Sequence, residues 1–330
     1  MKAIIPVAGA GTKLRPHTYT QPKALIPLAG KTVLSIIIEQ LKSAGIDEFI
    51  FVVGYLGDKI QDYVKKNFSE INAHFIGQPD RLGIGHAVEL TRTIVNNDEI
   101  VVILGDTICE YDVKAMLQNP NSMLGLRKVE DPRNFGVAEI NEDGLIIHLV
   151  EKPIIPKSNL ALVGIYKIKE SELLFQCLES NIRQGLQSQG EFSLTDALES
   201  MIQKGVKFSS FKVENWFDCG KKERLLESNA SLLKKLGSNV EENHRFENTV
   251  IIHPVNIGEG CSIKSSIIGP NVSIGENTII DNSIVNESII GSFSKLYNIV
   301  LDHSIIGSDT AISGESRTLN IGDNTSMNLG

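Results

Sequence analysis

The chain has 330 residues, 42% hydrophobic and 22% charged, which reads as a soluble globular protein with length enough for two domains. Its formal net charge of −8 argues against nucleic acid as a partner. No apolar run approaches the length of a membrane span and Met1-Lys2 leads into a strand pattern, so neither a membrane nor a signal peptide is expected. Four scattered cysteines (Cys109, Cys177, Cys219, Cys261) form no C-x-x-C pair, and they read as free thiols of a reducing cytoplasm.

The first predicted element, the buried-type strand Ala3–Val7, runs directly into Ala8-Gly9-Ala10-Gly11-Thr12-Lys13-Leu14-Arg15-Pro16, with Pro22-Lys23 six residues on. Every charge before Glu39 is positive: Lys2, Lys13, Arg15, Lys23 and Lys31. Small residues let backbone N–H groups approach phosphate oxygens and the cations neutralise them, so this is an anion loop. It is not a Walker A loop, which needs Gly-Lys-Ser/Thr, nor the dinucleotide fingerprint, because Leu14 stands where the third glycine belongs. Thr32 caps a helix to about Ala44 with Gly45 past its end; Glu48–Val53 is a strand and Asp58–Asn67 a helix. Strand 71–76, a helix near 85–95 and strand 100–104 continue the alternation, which predicts a parallel sheet covered on both faces. Ligands of such sheets bind at the carboxyl ends of the strands, where the anion loop falls.

A helix is predicted over 221–236, and after Gly237-Ser238-Asn239 the composition changes. Aliphatic residues recur at 257, 263, 268, 274, 280, 285 and 290, and Ile-Gly pairs at 257–258, 268–269, 274–275, 290–291, 306–307 and 321–322. A period of about six places one aliphatic knob on each side of a three-sided coil of about eighteen residues, the hexapeptide-repeat parallel β-helix. The pattern degenerates near Ser292–Asn298, which predicts a loop or bulge there. Residues 241–330 hold eleven acidic and four basic side chains, so charge supports the boundary as well. The expected domains are 1–238 and 239–330. Stacked coils leave an open end that capping or subunit contact usually covers, so a homo-oligomer is expected.

The loop, written A-G-x-G-T-[RK]-L-x-P with its P-K, resembles the signature of the sugar-1-phosphate nucleotidylyltransferases. Further segments resemble the family in the family's order: Gln78-Pro79 with Leu82-Gly83-x-x-His86-Ala87, Leu104-Gly105-Asp106, Phe135-Gly136-Val137 with Glu151-Lys152-Pro153, Leu162 to Tyr166, Gly190-Glu191 with Thr195-Asp196, and Trp216-Phe217-Asp218-x-Gly220. The resemblance covers residues 1–235 and is greatest to glucose-1-phosphate thymidylyltransferases of the long, repeat-bearing kind. It implies a Rossmann-like α/β domain with a mostly parallel sheet, helices on both faces, and a C-terminal left-handed parallel β-helix.

It also implies transfer of a nucleotidyl group from a nucleoside triphosphate to a sugar 1-phosphate in the cytoplasm, with Mg²⁺ as cofactor. Lys13, Arg15, Lys23 and Lys152 would neutralise the reacting phosphates. Ala8, Gly9, Gly11, Thr12, Gln78, Gly83 and Asp106 would bind the nucleotide. Gly136, Glu151, Lys152, Leu162 and Trp216 would bind the sugar phosphate, and Asp106 with Asp218 the metal. The attacking phosphate is already ionised, so no general base is required and none of the seven histidines needs a role.

Two positions depart from the family. Lys13 stands where arginine is usual, which keeps the charge and loses the bidentate fork. Ala8 stands where many thymidylyl enzymes have glycine, and Pro6-Val7-Ala8-Gly9 is closer to uridylyl enzymes. The Leu104–Asp106 and Trp216-x-Asp218 wording and the closing Leu319-Asn320-Ile321-Gly322-Asp323 are closer to thymidylyl enzymes. dTTP is therefore favoured over UTP and glucose 1-phosphate is the expected acceptor, although no short motif fixes the sugar. The alternatives are a bifunctional enzyme whose coils, with His253 and His303, acetylate an amino sugar, and an inactive nucleotide-sugar sensor.

Overall fold

The structure, a computed structural model, describes residues 1–240 and 246–315, the side chain of Asp218 excepted; the Leu319–Asp323 run lies outside the described residues. The chain divides into two compact units. The first comprises Met1–Ile26 and Lys31–Ser228, the second Pro27–Gly30 and the chain from Asn229 onward. The division therefore falls inside the last long helix and not at the composition change at 238/239.

Strand β1 (Lys2–Pro6) is followed by the short strands β2 (Pro27–Leu28) and β3 (Lys31–Thr32). Helix α1 (Val33–Ser43) starts at Thr32, whose hydroxyl accepts from Ser35 N at 3.0 Å while Ser35 Oγ accepts from Thr32 N, a reciprocal cap. Gly45, at φ +96°, lets the chain leave the helix. Next come β4 (Glu48–Val53), α2 (Gly57–Asn67), β5 (Asn72–Gly77), α3 (Ile84–Glu89) and α4 (Arg92–Val95). The single helix expected over 85–95 is thus two, broken where the Thr91 hydroxyl turns back to Val88 O at 2.7 Å. The unit continues with β6 (Ile100–Ile103), β7 (Thr107–Glu110), α5 (Val113–Gln118), β8 (Ser122–Lys128), β9 (Gly136–Ile140), β10 (Leu145–Glu151) and β11 (Leu160–Ile168). It closes with α6 (Ser171–Arg183), α7 (Leu194–Gln203), β12 (Phe208–Lys212), β13 (Asn215–Asp218) and α8 (Lys222–Leu236), which crosses into the second unit.

One nine-stranded sheet runs in the order β5-β4-β1-β6-β11-β8-β12-β10-β9. Its first four strands are parallel, as alternating strands and helices require. The remainder is largely antiparallel, because hairpins replace crossover helices: β9 and β10 join through Asn141–Gly144, with Gly144 at φ +76°. A further β11–β9 pairing closes β8, β12, β10, β9 and β11 into a ring. Ile4, Ile50, Val52 and Val102 face Val88, Leu174 and Leu198 of α3, α6 and α7. The alternate residues Ile5, Phe49 and Phe51 are fully buried on the other face, so both faces are covered.

The second unit is a parallel β-helix of the left-handed hexapeptide-repeat kind, with three four-stranded sheets. The first stacks Val250–Ile251, Ile267–Ile268, Ile284–Asn286 and Val300–Asp302; the second Val255–Ile257, Val272–Ile274, Ile289–Ile290 and Ile305–Ile306; the third Ser262–Lys264, Ile279–Asp281, Lys295–Tyr297 and Ala311–Ser313. Partners such as Val250↔Ile267 and Ile284↔Val300 show coils slightly shorter than the eighteen residues expected, because the five-residue spacings recur in every coil. Corners carry left-handed residues, among them Asn271, Asn277, Asn282 and Asn298, the side chain that best tolerates that conformation after glycine.

The bulge expected near Ser292–Asn298 is absent. Lys295–Tyr297 pairs in register with both neighbouring coils, Leu296 fills the buried position and Phe293 occupies an exposed corner at φ +59°. Asn229 of α8, fully buried, ties the unit together. Its Oδ1 accepts from Ala29 N at 2.9 Å and Ser273 Oγ at 2.7 Å, and its Nδ2 donates to Asn271 O at 3.1 Å. These bonds join α8 to Ala29, Asn271 and Ser273 within this unit.

Candidate active site

The anion loop lies where β1 and β6 end. A Cβ at Gly105 would stand 2.2 Å from Val7 Cγ1 and 3.0 Å from Pro6 O, and one at Gly54 2.9 Å from Ala8 O, so both flanks of the loop need glycine for close backbone approach. Gly9 itself has open space on its Cβ side. Gly11, at φ +59°, starts the tight turn Thr12–Leu14, and Thr18 Oγ1 holds Gly11 O at 2.8 Å. Ala8 to Thr12 line a cleft of 390 Å³ together with Lys23, Gln78, Gly83 and Asp106. Lys23 Nζ lies 2.5 Å from Asp106 Oδ2, and Thr107 Oγ1 donates to Asp106 Oδ1 at 3.2 Å.

The other two loop cations sit differently from expectation. Lys13 is exposed, the Arg15 guanidinium stacks 4.9 Å over the Tyr19 ring, and neither lines the cleft. Arg81, which no motif singled out, does line it, and its guanidinium is 5.8 Å from the Tyr55 ring. The only sequence signal for Arg81 is its place in the Pro79–Leu82 loop after β5.

Gln78, at the end of β5, is buried. Its backbone N–H donates to Val53 O at 2.7 Å, and its side-chain amide donates to Gly83 O and to His86 Nδ1, both at 3.1 Å. The amide oxygen is thereby left as an acceptor. Gly83, at φ +105°, passes so close to the 188–193 loop that a Cβ would meet Phe192 O at 2.6 Å. Phe192 N donates to Leu82 O at 2.7 Å and Gly85 N to Phe192 O at 2.8 Å, fixing that approach.

The residues expected to bind the sugar phosphate converge on the β9–β10 hairpin, where Gly136 is paired with Glu151. Glu151 Oε2 accepts from Thr195 Oγ1 at 2.6 Å, and a Cβ on Gly136 would lie 2.7 Å from Leu162 Cδ1 and 3.2 Å from Glu151 Oε2. Lys152 takes φ +41°, its N–H donates to Phe135 O at 3.0 Å and its Nζ lies 3.6 Å from Glu151 Oε1. Trp216 packs edge-on to Phe135 at 4.8 Å, and its buried Nε1 has no hydrogen-bond partner among the described residues. Strand β13 pairs with β7 so that Asp218 is opposite Thr107, next to Asp106 in register; its side chain lies outside the described residues.

Burial raises the pKa of Tyr166 on β11, and the charges of Glu151 and Asp106 raise it further, so one buried ring feels both carboxylates. Burial likewise raises Asp196, against the hydrogen bond that Ser188 donates to it at 2.7 Å. Among the described residues no group of three or more His, Cys, Asp or Glu is arranged to hold a metal ion, and no helix is long and apolar enough to cross a membrane.

The nucleotidyl transferase family model matches residues 2–235. A glucose-1-phosphate thymidylyltransferase of Streptomyces antibioticus is 30% identical over 95% of this chain and 94% of its own. The low-salt glycan biosynthesis nucleotidyltransferase Agl11 of Haloferax volcanii is 33% identical over the whole of both chains. Among solved structures, a UDP-glucose pyrophosphorylase complexed with UDP-glucose superposes with a TM-score of 0.62 at 25% identity, over 71% of this chain and 98% of that one. A putative glucose-1-phosphate thymidylyltransferase from Bacillus anthracis gives 0.61 at 29% identity, over 74% of this chain and 98% of that one. With its anion loop, buried glutamine and paired Gly136–Glu151 in the order that the sequence resemblance implies, the chain belongs to the sugar-1-phosphate nucleotidylyltransferase family.

Proposed function

We propose that this protein transfers a thymidylyl group from dTTP to glucose 1-phosphate, releasing pyrophosphate. One observation carries the reading: a single cleft is lined by the anion loop, Lys23, Gln78, Gly83 and Asp106. The Gly9–Thr12 backbone and Lys23 receive the triphosphate, with Lys13 and Arg15 on the rim against the departing pyrophosphate. Gln78 offers its amide oxygen to the imide N–H of the pyrimidine, which lies against Gly83. Lys152 holds the sugar phosphate in line with the α-phosphorus, while Glu151 and the Trp216 N–H meet sugar hydroxyls. Both reactants arrive as anions, so catalysis is positioning and charge neutralisation.

Asp106 and Asp218 are hard oxygen donors suited to Mg²⁺, and the ammonium of Lys23 on Asp106 Oδ2 marks a place where this carboxylate takes a cation. The ion, held there, would supply charge neutralisation on the triphosphate oxygens. Full-length likeness to a thymidylyltransferase supports dTTP; the Ala8 wording supports UTP as the second reading.

The test is pyrophosphate release from a matrix of nucleoside triphosphates and hexose 1-phosphates, repeated with Gln78→Leu. The dTTP and glucose 1-phosphate pair should be the fastest, and the variant should raise the dTTP KM about tenfold, as expected when one buried amide contact is lost. Preference for a purine triphosphate would refute the base assignment, and no release from any pair would refute the activity.

A further inference from the structure

His86 is half-buried and does not line the proposed nucleotide cleft; it reaches the cleft through Gln78. Its Nδ1 lies 3.1 Å from the side-chain nitrogen of Gln78, and that nitrogen also donates to Gly83 O at 3.1 Å. Both partners of the amide stand on the first turn of α3. Gly83 caps the helix, its carbonyl accepting from Ala87 N at 3.1 Å as well, and His86 follows three residues on. The bonds of Phe192 to Leu82 and Gly85 hold that turn in place. Gln78 is itself buried, so its amide is set by these two partners rather than by water.

The two contacts decide which atoms are donors. A carbonyl oxygen can only accept, so the amide nitrogen of Gln78 must face Gly83 O. The Nδ1 that meets the same nitrogen must then carry a lone pair, with the imidazole proton on Nε2. We propose that His86 is a positioning residue for base selection, its unprotonated Nδ1 holding the Gln78 amide with the oxygen presented to a pyrimidine imide N–H.

The inference rests on Gln78 reading the base and makes that reading conditional on protonation. A proton on Nδ1 sets an N–H against the N–H of Gln78. Turning the amide over would satisfy His86 but oppose the Gln78 oxygen to Gly83 O, and leaving it would keep two donors face to face. Neither arrangement holds the oxygen on the imide N–H. On acidification thymine should therefore lose ground to a base whose ring nitrogen accepts. No proton of the reaction passes through His86. The charges around it belong to several elements: Glu89 on α3 pairs with Arg92 at 3.2 Å, and Glu179 on α6 with the same arginine at 3.0 Å. On α7, Asp196 accepts from Ser188 at 2.7 Å and Glu199 lies 2.9 Å from His148 Nδ1. Lys2, at the start of β1, pairs with Glu48 and Asp98, while Arg81 and Glu191 line the cleft. These groups act alike on two nucleotides that carry the same triphosphate, so a ratio of affinities cancels them.

The test is the calorimetric affinity of the full-length protein for dTTP and for 5-methyl-dCTP, which differ only at the base edge that Gln78 would read. The wild-type preference for dTTP should be about tenfold near pH 8 and should shrink about five- to tenfold toward about pH 5.5, the range over which an imidazole takes up its proton. His86→Asn supplies an oxygen in the place of Nδ1 that takes no proton there, so it should keep the preference and lose the pH dependence. His86→Leu should lower the preference about fivefold at pH 8, as the loss of one hydrogen bond does. Circular dichroism and thermal melting confirm that the variants fold, and His86→Asn decides the matter if His86→Leu does not. Gln78→Leu separates the two readings. No preference in the wild type, or a preference that survives Gln78→Leu, refutes Gln78 as the base reader and the proposal with it. A preference lost in Gln78→Leu but independent of pH in the wild type, or with its pH trend intact in His86→Asn, overturns the role of His86 alone.

Discussion

Adding one methyl group at Gly136 tests the proposed sugar side of the site separately from the proposed nucleotide cleft. An ideal Cβ there would lie 2.7 Å from Leu162 Cδ1, 2.9 Å from Thr195 Oγ1 and 3.2 Å from Glu151 Oε2. Leu162 can swing its terminal methyl away. Thr195 Oγ1, however, must retreat by about 0.5 Å to reach ordinary contact, and it donates to Glu151 Oε2 at 2.6 Å. A hydrogen bond to an ionised group contributes about 1.5–3 kcal/mol. At 1.36 kcal/mol per tenfold, Gly136→Ala should lower kcat/KM for the sugar phosphate about 10- to 150-fold. Overpacking should also cost about 1–3 kcal/mol of stability in denaturant unfolding. The nucleotide cleft has no contact with the new methyl, so the triphosphate KM should stay within about twofold. Steady-state pyrophosphate release, varying each substrate in turn, reads both. Equal losses on both substrates, or wild-type kinetics with the sugar phosphate, would refute the placing of Glu151 against the sugar.

Asp106→Asn should reduce turnover at least about 100-fold by removing charge at the reacting phosphates, yet change stability by about 1 kcal/mol or less, because its pair with Lys23 is partly exposed; undiminished pyrophosphate release would contradict the metal assignment. Asp196 is raised by burial above its ordinary value, so the native state binds the proton more tightly than the unfolded chain and the group becomes less destabilising as pH falls through its native pKa. Asp196→Asn should therefore melt higher than wild type at pH 7, with the gap closing as pH falls toward the carboxylate range; a gap that widens on acidification would reverse the sign. Asn229→Ala removes three hydrogen bonds from a fully buried residue and should cost about 3 kcal/mol in denaturant unfolding, whereas a loss below about 1 kcal/mol would mean that those bonds do not hold the second unit together.

Much of this protein was legible as local pattern. The aliphatic strand followed by Gly9, Gly11 and three cations marks an anion loop wherever it folds, because glycine freedom and charge belong to the residues themselves. The six-residue aliphatic period dictates a three-sided coil, since each side must bury one knob. Thr32 and Gly45 bracket α1 by capping chemistry that acts within one turn. What the sequence left open depends on residues far apart in the chain. Gly136 touches Leu162, Glu151 and Thr195 only because β9, β10, β11 and the start of α7 meet. Lys23 rather than Lys13 or Arg15 enters the cleft because its turn, not theirs, faces Asp106, 83 positions away. The buried bonds of Asn229 and the shortened coils depend on partners that lie a full coil or more apart in the chain. Local propensity and charge determined the chemistry this chain can perform; long-range packing decided which residues stand where to perform it.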